Sequence, residues 1–99
     1  MIDLCGEIEK FGKGIGNAHR YRLLEALLAG PLTVNELSKK VRLSQPAVSQ
    51  HLKVLKESDI VQDNRQGKTI FYSLNSHYVV TLLSRLITQM RNDKKKHKR

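Results

Sequence analysis

Few residues in this 99-residue chain could carry chemistry, and their spacing excludes most of the reactions they could support. Cys5 is the one cysteine, so no disulfide and no two-cysteine redox switch can form within one chain. His51 has no histidine or carboxylate four residues away, and His19 and His77 stand equally alone, so all three read as structural residues. Gly12, Gly14 and Gly16 have the look of a phosphate-cradling loop, but they follow a helical stripe instead of a strand and lack the Walker lysine. They read as a hinge. No nucleophile, base and acid come together in the pattern, so the chain is expected not to be an enzyme and to need no cofactor. What remains is the set Ser49, Gln50 and Lys53, short hydrogen-bonding groups followed one turn later by a lysine. On one helix face, such a set suits base edges and phosphates in a major groove. An ordinary solvated helix face has the same composition, so the elements around it must decide.

Those elements follow from periodicity and capping. Leu4, Ile8, Phe11 and Ile15 form the stripe of a first helix, expected to break at the glycines. Asn17 caps a second helix whose buried face is Leu23, Leu24, Leu27 and Leu28, and Gly30-Pro31 stops it. Thr33-Val34-Asn35-Glu36 is a capping box opening a short third helix with Val34, Leu37 and Val41 inward. After a turn at Val41-Arg42-Leu43, Ser44 caps a fourth helix that tolerates Pro46 in its first turn. At 100° per residue its Val48, His51, Leu52 and Leu55 share one arc, while Pro46, Ser49, Gln50, Lys53 and Glu57 face the other way. Ile60-Val61 and Ile70-Phe71-Tyr72 are β-prone runs around a polar turn over residues 63–68. Asn75 or Ser76 caps a last helix expected to end near Met90. The fold class is therefore mainly α with a β-hairpin, in the order α-α-α-α-β-β-α.

Charge points the same way. The formal net charge is +9, and residues 91–99 hold six Lys/Arg against Asp93. Between Lys39 and Arg85 lie eight basic residues against Glu57, Asp59 and Asp63. A basic middle suits a polyanion, because Lys and Arg at phosphates release condensed counterions. An anionic membrane surface would fit charge alone equally well. No stretch approaches the ~18 apolar residues of a membrane span, and residues 1–7 lack a signal-peptide pattern, so a soluble, cytoplasmic protein without membrane partners is expected. One domain over residues 1–90 and a basic, disordered tail over 91–99 complete the expected organisation.

The run Leu43-Ser44-Gln45-Pro46-Ala47-Val48-Ser49-Gln50-His51-Leu52-Lys53-Val54-Leu55-Lys56 leads into Ile60-Val61 and then Arg65-Gln66-Gly67-Lys68-Thr69-Ile70-Phe71-Tyr72-Ser73-Leu74. Together these resemble the recognition helix and wing of the ArsR/SmtB family of homodimeric repressors. The resemblance implies a winged helix-turn-helix. It implies base-edge contacts from Ser49 and Gln50, phosphate or base contacts from Gln45 and Ala47, and backbone contacts from Arg65, Gln66 and Lys68; Lys53 falls near phosphate by its place one turn further along the outward face. Ser49 and Gln50 already lie on the outward arc.

The last helix carries Tyr78, Val79, Val80, Leu82, Leu83, Leu86, Ile87 and Met90 over about 200°, wider than a helix packed on one side needs. The family dimerises through its first and last helices, which implies an interface of Leu4, Ile8, Phe11, Val79, Leu83, Leu86 and Met90. Its metal sites do not carry over. The third-helix thiolate run becomes Asn35-Glu36-Leu37-Ser38, and the last-helix ligand positions become Ser76, Tyr78, Gln89 and Asn92, so no metal is expected. The expected protein is a sequence-specific regulator, in repressor mode, that binds a palindromic site on double-stranded DNA as a homodimer, with no effector assigned. The alternatives are a sequence-tolerant architectural DNA-binding protein and an interaction module that kept the fold.

Overall fold

The computed structural model describes residues 3–96, with side-chain surroundings as far as Asn92. Helices α1 (Leu4–Ile15), α2 (Ala18–Leu27), α3 (Val34–Val41) and α4 (Gln45–Glu57) precede strands β1 (Val61–Gln66) and β2 (Thr69–Leu74), and α5 (Ser76–Lys96) follows. Leu23 and Leu27 of α2, Leu37 and Val41 of α3, Val48, Leu52 and Leu55 of α4, and Ile60 and Val61 at the hairpin entrance share one buried cluster. Leu23, Leu37, Leu52 and Leu55 are fully enclosed, contributing roughly 1.5–3 kcal/mol each. The core therefore sits under the helix-turn-helix and fixes α3 and α4 against α2.

Several expectations are corrected. Gly12 and Gly14 do not break the first helix; α1 runs through both, and Gly16 ends it, its N–H donating to the Gly12 carbonyl at 2.8 Å. Gly14 is buried because it faces the turn after α4. A β-carbon built there would lie 2.6 Å from Ser58 Oγ and 2.7 Å from Ile60 Cδ1. The missing side chain is what lets α1 lie flush on that turn. Leu28 is 73% exposed rather than buried, since α2 ends at Leu27 and the next residue turns about 100° off the inner face.

The hairpin is longer than its β-prone residues suggest. Asp63, Asn64, Arg65 and Gln66 belong to β1, paired with Tyr72, Phe71, Ile70 and Thr69, and only Gly67-Lys68 turns. Gly67 has φ 64°, the left-handed value that a two-residue hairpin turn requires at its first central position. Backbone pairing overrides the low strand propensity of exposed Asp and Asn. Leu32 adds a one-residue third strand, exchanging N–H···O bonds of 3.0 and 2.8 Å with Tyr72. Finally, α5 continues past Met90 to Lys96, through the expected tail boundary. Residues 91–96 contain no glycine or proline to stop the helix. Residues 97–99 of that tail lie outside the described residues.

The two α1 glycines should respond in opposite directions to a methyl group. Gly12 has open space around its β-carbon position, so Gly12→Ala should stabilise the chain by about 0.5–1 kcal/mol through backbone entropy. Gly14→Ala must push Ser58 and Ile60 away and should cost about 1–3 kcal/mol. Urea unfolding of the two variants measures both; equal effects would show that α1 does not rest on the turn.

Candidate nucleic-acid interface

The helix-turn-helix is fixed by its caps. Thr33 Oγ1 accepts from the Glu36 N–H at 3.2 Å and Glu36 Oε1 accepts from the Thr33 N–H at 2.9 Å, the reciprocal box expected from the sequence. At the turn Arg42 adopts φ 58°, which reverses the chain within two residues. Ser38 Oγ donates to the Leu43 carbonyl, and the Leu43 N–H returns to the Ser38 carbonyl at 3.3 Å, locking α3 to the start of α4. Ser44 Oγ then accepts from the Ala47 N–H at 3.3 Å, and Pro46 sits in the first turn, where its missing donor costs nothing.

This frame settles which side of α4 faces out. Val48, Leu52 and Leu55 are buried, so Pro46, Ser49, Gln50 and Lys53 are exposed on the other arc, and Gln45 is exposed as the first residue of the helix. Ala47 and His51 are half-buried on the flank. The Gln45 amide donates to Asn35 Oδ1 at 3.0 Å, so that side chain is tied to α3. Arg65 and Gln66 project from the exposed end of β1 and Lys68 from the tip. The structure thus presents Ser49, Gln50 and Lys53 on one helix face, and places Arg65, Gln66 and Lys68 together on the neighbouring wing.

Ion pairing separates structural cations from available ones. Lys56 Nζ lies 2.8 Å from Asp63 Oδ2 and clamps the end of α4 to the base of β1. That pair holds the Asp63 carboxyl below and the Lys56 ammonium above their ordinary values. Lys10 and Lys13 also have carboxylate partners. Lys53, Arg65 and Lys68 have none among the described residues. An acidic residue that would have opposed phosphate is neutralised, while the outward cations stay free. A capped helix with a polar outer arc, next to a cationic two-stranded wing, is a winged helix-turn-helix.

The bacterial regulatory protein, arsR family, matches residues 17–63, the span from the α2 cap into β1. The transcriptional activator HlyU of Vibrio cholerae is 40% identical over 80 residues, covering 78% of this chain and 74% of that protein. The chain belongs to the ArsR family. It is a transcriptional regulator with a winged helix-turn-helix DNA-binding domain. The transcriptional repressor SdpR of Bacillus subtilis is 34% identical over 64 residues, 65% of this chain and 71% of its own. The solved structure of HlyU from V. cholerae superposes with a TM-score of 0.70 at 34% identity, over 87% of this chain and 97% of that one.

The metal positions of the ArsR resemblance can be tested on this fold. Ser76, Gln89 and Asn92 are exposed, and the Tyr78 hydroxyl donates to Glu7 Oε1. None of these side chains is a strong metal donor and one is already engaged, so the residues do not fit a metal. Of the residues implied for dimerisation, Phe11 and Val79 are half-buried against the chain's own core. Leu4, Ile8 and Leu86 are half-buried, and Leu83 and Met90 are exposed.

Two features of this ArsR-family chain escaped sequence reasoning because they join distant residues. Lys10 reaches Asp59 at 2.7 Å, 49 positions along the chain. His19 of α2 meets His51 of α4, ring centroids 5.8 Å apart, although neither has a partner at helical spacing. Burial first, then the nearby charges of Arg20 and His19, lowers the His51 imidazole from its ordinary 6.5. The folded protein therefore resists a proton that the unfolded chain accepts. The resulting stability is present above pH 6.5 and is lost as pH falls from there through the folded value. Urea midpoints at about pH 7.5 and about pH 5.5 should show the wild type losing stability on acidification, and His51→Gln losing less. Equal losses would mean that His51 does not couple folding to pH.

Proposed function

We propose that the protein binds an imperfect palindrome in double-stranded DNA as a homodimer, placing α4 of each protomer in a major groove. The observation that carries this reading is the two-sided α4, with Val48, Leu52 and Leu55 enclosed and Ser49, Gln50 and Lys53 exposed. Gln50 can pair bidentately with an adenine edge, Ser49 accepts or donates beside it, and Lys53 one turn on meets phosphate. Arg65, Gln66 and Lys68 of the wing, with Gln45 and Ala47 at the helix start, contact the flanking backbone or base edges. The basic run over residues 91–99 adds affinity without sequence preference.

The dimer reading rests on apolar surface. Val80, Leu83, Ile87 and Met90 of α5 are 62%, 37%, 48% and 63% exposed, a row that a second copy would cover. Leu4, Ile8 and Leu86 border a surface cavity beside Met90, and Phe11 and Val79 pack against the chain's own core. This extends the interface implied by the family resemblance to Val80 and Ile87. The protein acts by binding, not catalysis, in the cytoplasm where bacterial DNA lies. The signal it answers is not a metal at the last-helix positions. Repression follows where the operator overlaps a promoter, because dimer and polymerase compete for one groove.

Sedimentation equilibrium should give twice the 11.3 kDa chain mass. Selection from a random DNA pool should recover a palindrome with half-sites about one helical turn apart, near 34–36 Å. Gln50→Ala should relax one symmetric pair of positions by about 1–3 kcal/mol, whereas Lys53→Ala and Arg65→Ala should weaken all sequences alike. No enriched palindrome from the wild type would indicate sequence-tolerant binding, and an unchanged motif after Gln50→Ala would assign the wrong helix face.

A further inference from the structure

The far end of α4, away from the groove, is held at a three-residue turn over 58–60 on which both candidate dimer helices converge. Asp59 takes φ 62° there, and its N–H and that of Ile60 return to Lys56 and Leu55 carbonyls, both at 3.0 Å. From the start of α5, Asn75 Nδ2 donates to the Asp59 carbonyl at 3.0 Å and the Asn75 N–H to the Ile60 carbonyl at 2.9 Å. From α1, Gly14 lies flush against Ser58 and Ile60, and Lys10 reaches the Asp59 carboxylate at 2.7 Å. Lys10 is held in turn by Glu7 at 3.3 Å and by the Tyr78 ring, whose centroid lies 5.4 Å from Nζ. Glu7 accepts the Tyr78 hydroxyl, so the same cluster binds α1 to α5.

Leverage makes this turn matter. Helix α4 has 13 residues and so extends about 20 Å from the turn to its groove end. A swing of about 10° at the turn moves that end by about 3.5 Å, close to one base-pair step. We propose that Lys10 and Asp59 are positioning residues that set the distance between the two recognition helices, and so select half-site spacing without touching DNA. This rests on the dimer reading above.

Operators whose half-sites are separated by the preferred spacing, or by one base pair more or less, test it with the whole chain at fixed salt. The wild type should prefer one spacing. Lys10→Met and Asp59→Asn should each flatten that preference by about threefold, the scale of one partly exposed ion pair, with half-site base preference unchanged. Asparagine tolerates the left-handed backbone at position 59, so that variant isolates the charge. Lys10→Arg should restore selectivity. Lys13→Met removes the same charge from an exposed site on α1 and should leave the spacing profile as in the wild type. A preference unmoved by Lys10→Met and Asp59→Asn, or flattened equally by Lys13→Met, overturns the inference alone. A wild type with no spacing preference overturns the dimer reading and this inference together.

Discussion

Much of this structure depends on the close approach of α1 to the turn that ends the recognition helix. Gly14 permits it, because any side chain there would occupy the space of Ser58 and Ile60. Ile60 is itself part of the core, so the first helix, the exit of α4 and the entry to the wing share one contact. The α1 C-terminus is held from the other side too: Arg20 donates from Nη2 to the Lys13 carbonyl at 3.1 Å and from Nε to the Gly14 carbonyl. Loss of that approach would leave α4 capped and amphipathic but would free its orientation relative to α1 and α5.

The electrostatics follow a division of labour among like charges. Lys10 and Lys56 are spent on Asp59, in the turn between α4 and β1, and on Asp63, within β1. Each pair is partly exposed and modest in energy, but each fixes an angle between elements. Because Asp59 and Asp63 are paired locally, Lys53 on the outward face of α4 and Arg65 and Lys68 on the wing keep no carboxylate partner among the described residues. Pairing an acid with a nearby lysine removes its repulsion from the field that a basic surface presents to a polyanion.

The backbone economy of the wing shows why it projects as a rigid element. Six residue pairs join β1 to β2, a two-residue turn closes it, and the bridge from Leu32 anchors Tyr72 at its base. An isolated two-stranded hairpin is marginal in water; a third backbone segment and the buried Val61 tie this one to the core.

The sequence by itself determined every element whose cause is local. The Asn17, Thr33 and Ser44 caps, the inward stripes of α3 and α4 and of α2 as far as Leu27, the outward arc of Ser49, Gln50 and Lys53, and the order of helices and hairpin all follow from neighbours within four residues. The 43–74 motif carried the family as well, and residues 17–63 match its model. Tertiary structure decided what depends on distant partners. Gly14 became a contact instead of a hinge because Ser58 lies above it, and Leu32 became a strand because Tyr72 offered a ladder partner. His19 found His51, and Lys10 found Asp59, across separations that periodicity cannot register. Helical and strand patterns report which face of an element is apolar, and only packing in three dimensions determines which residue that face meets.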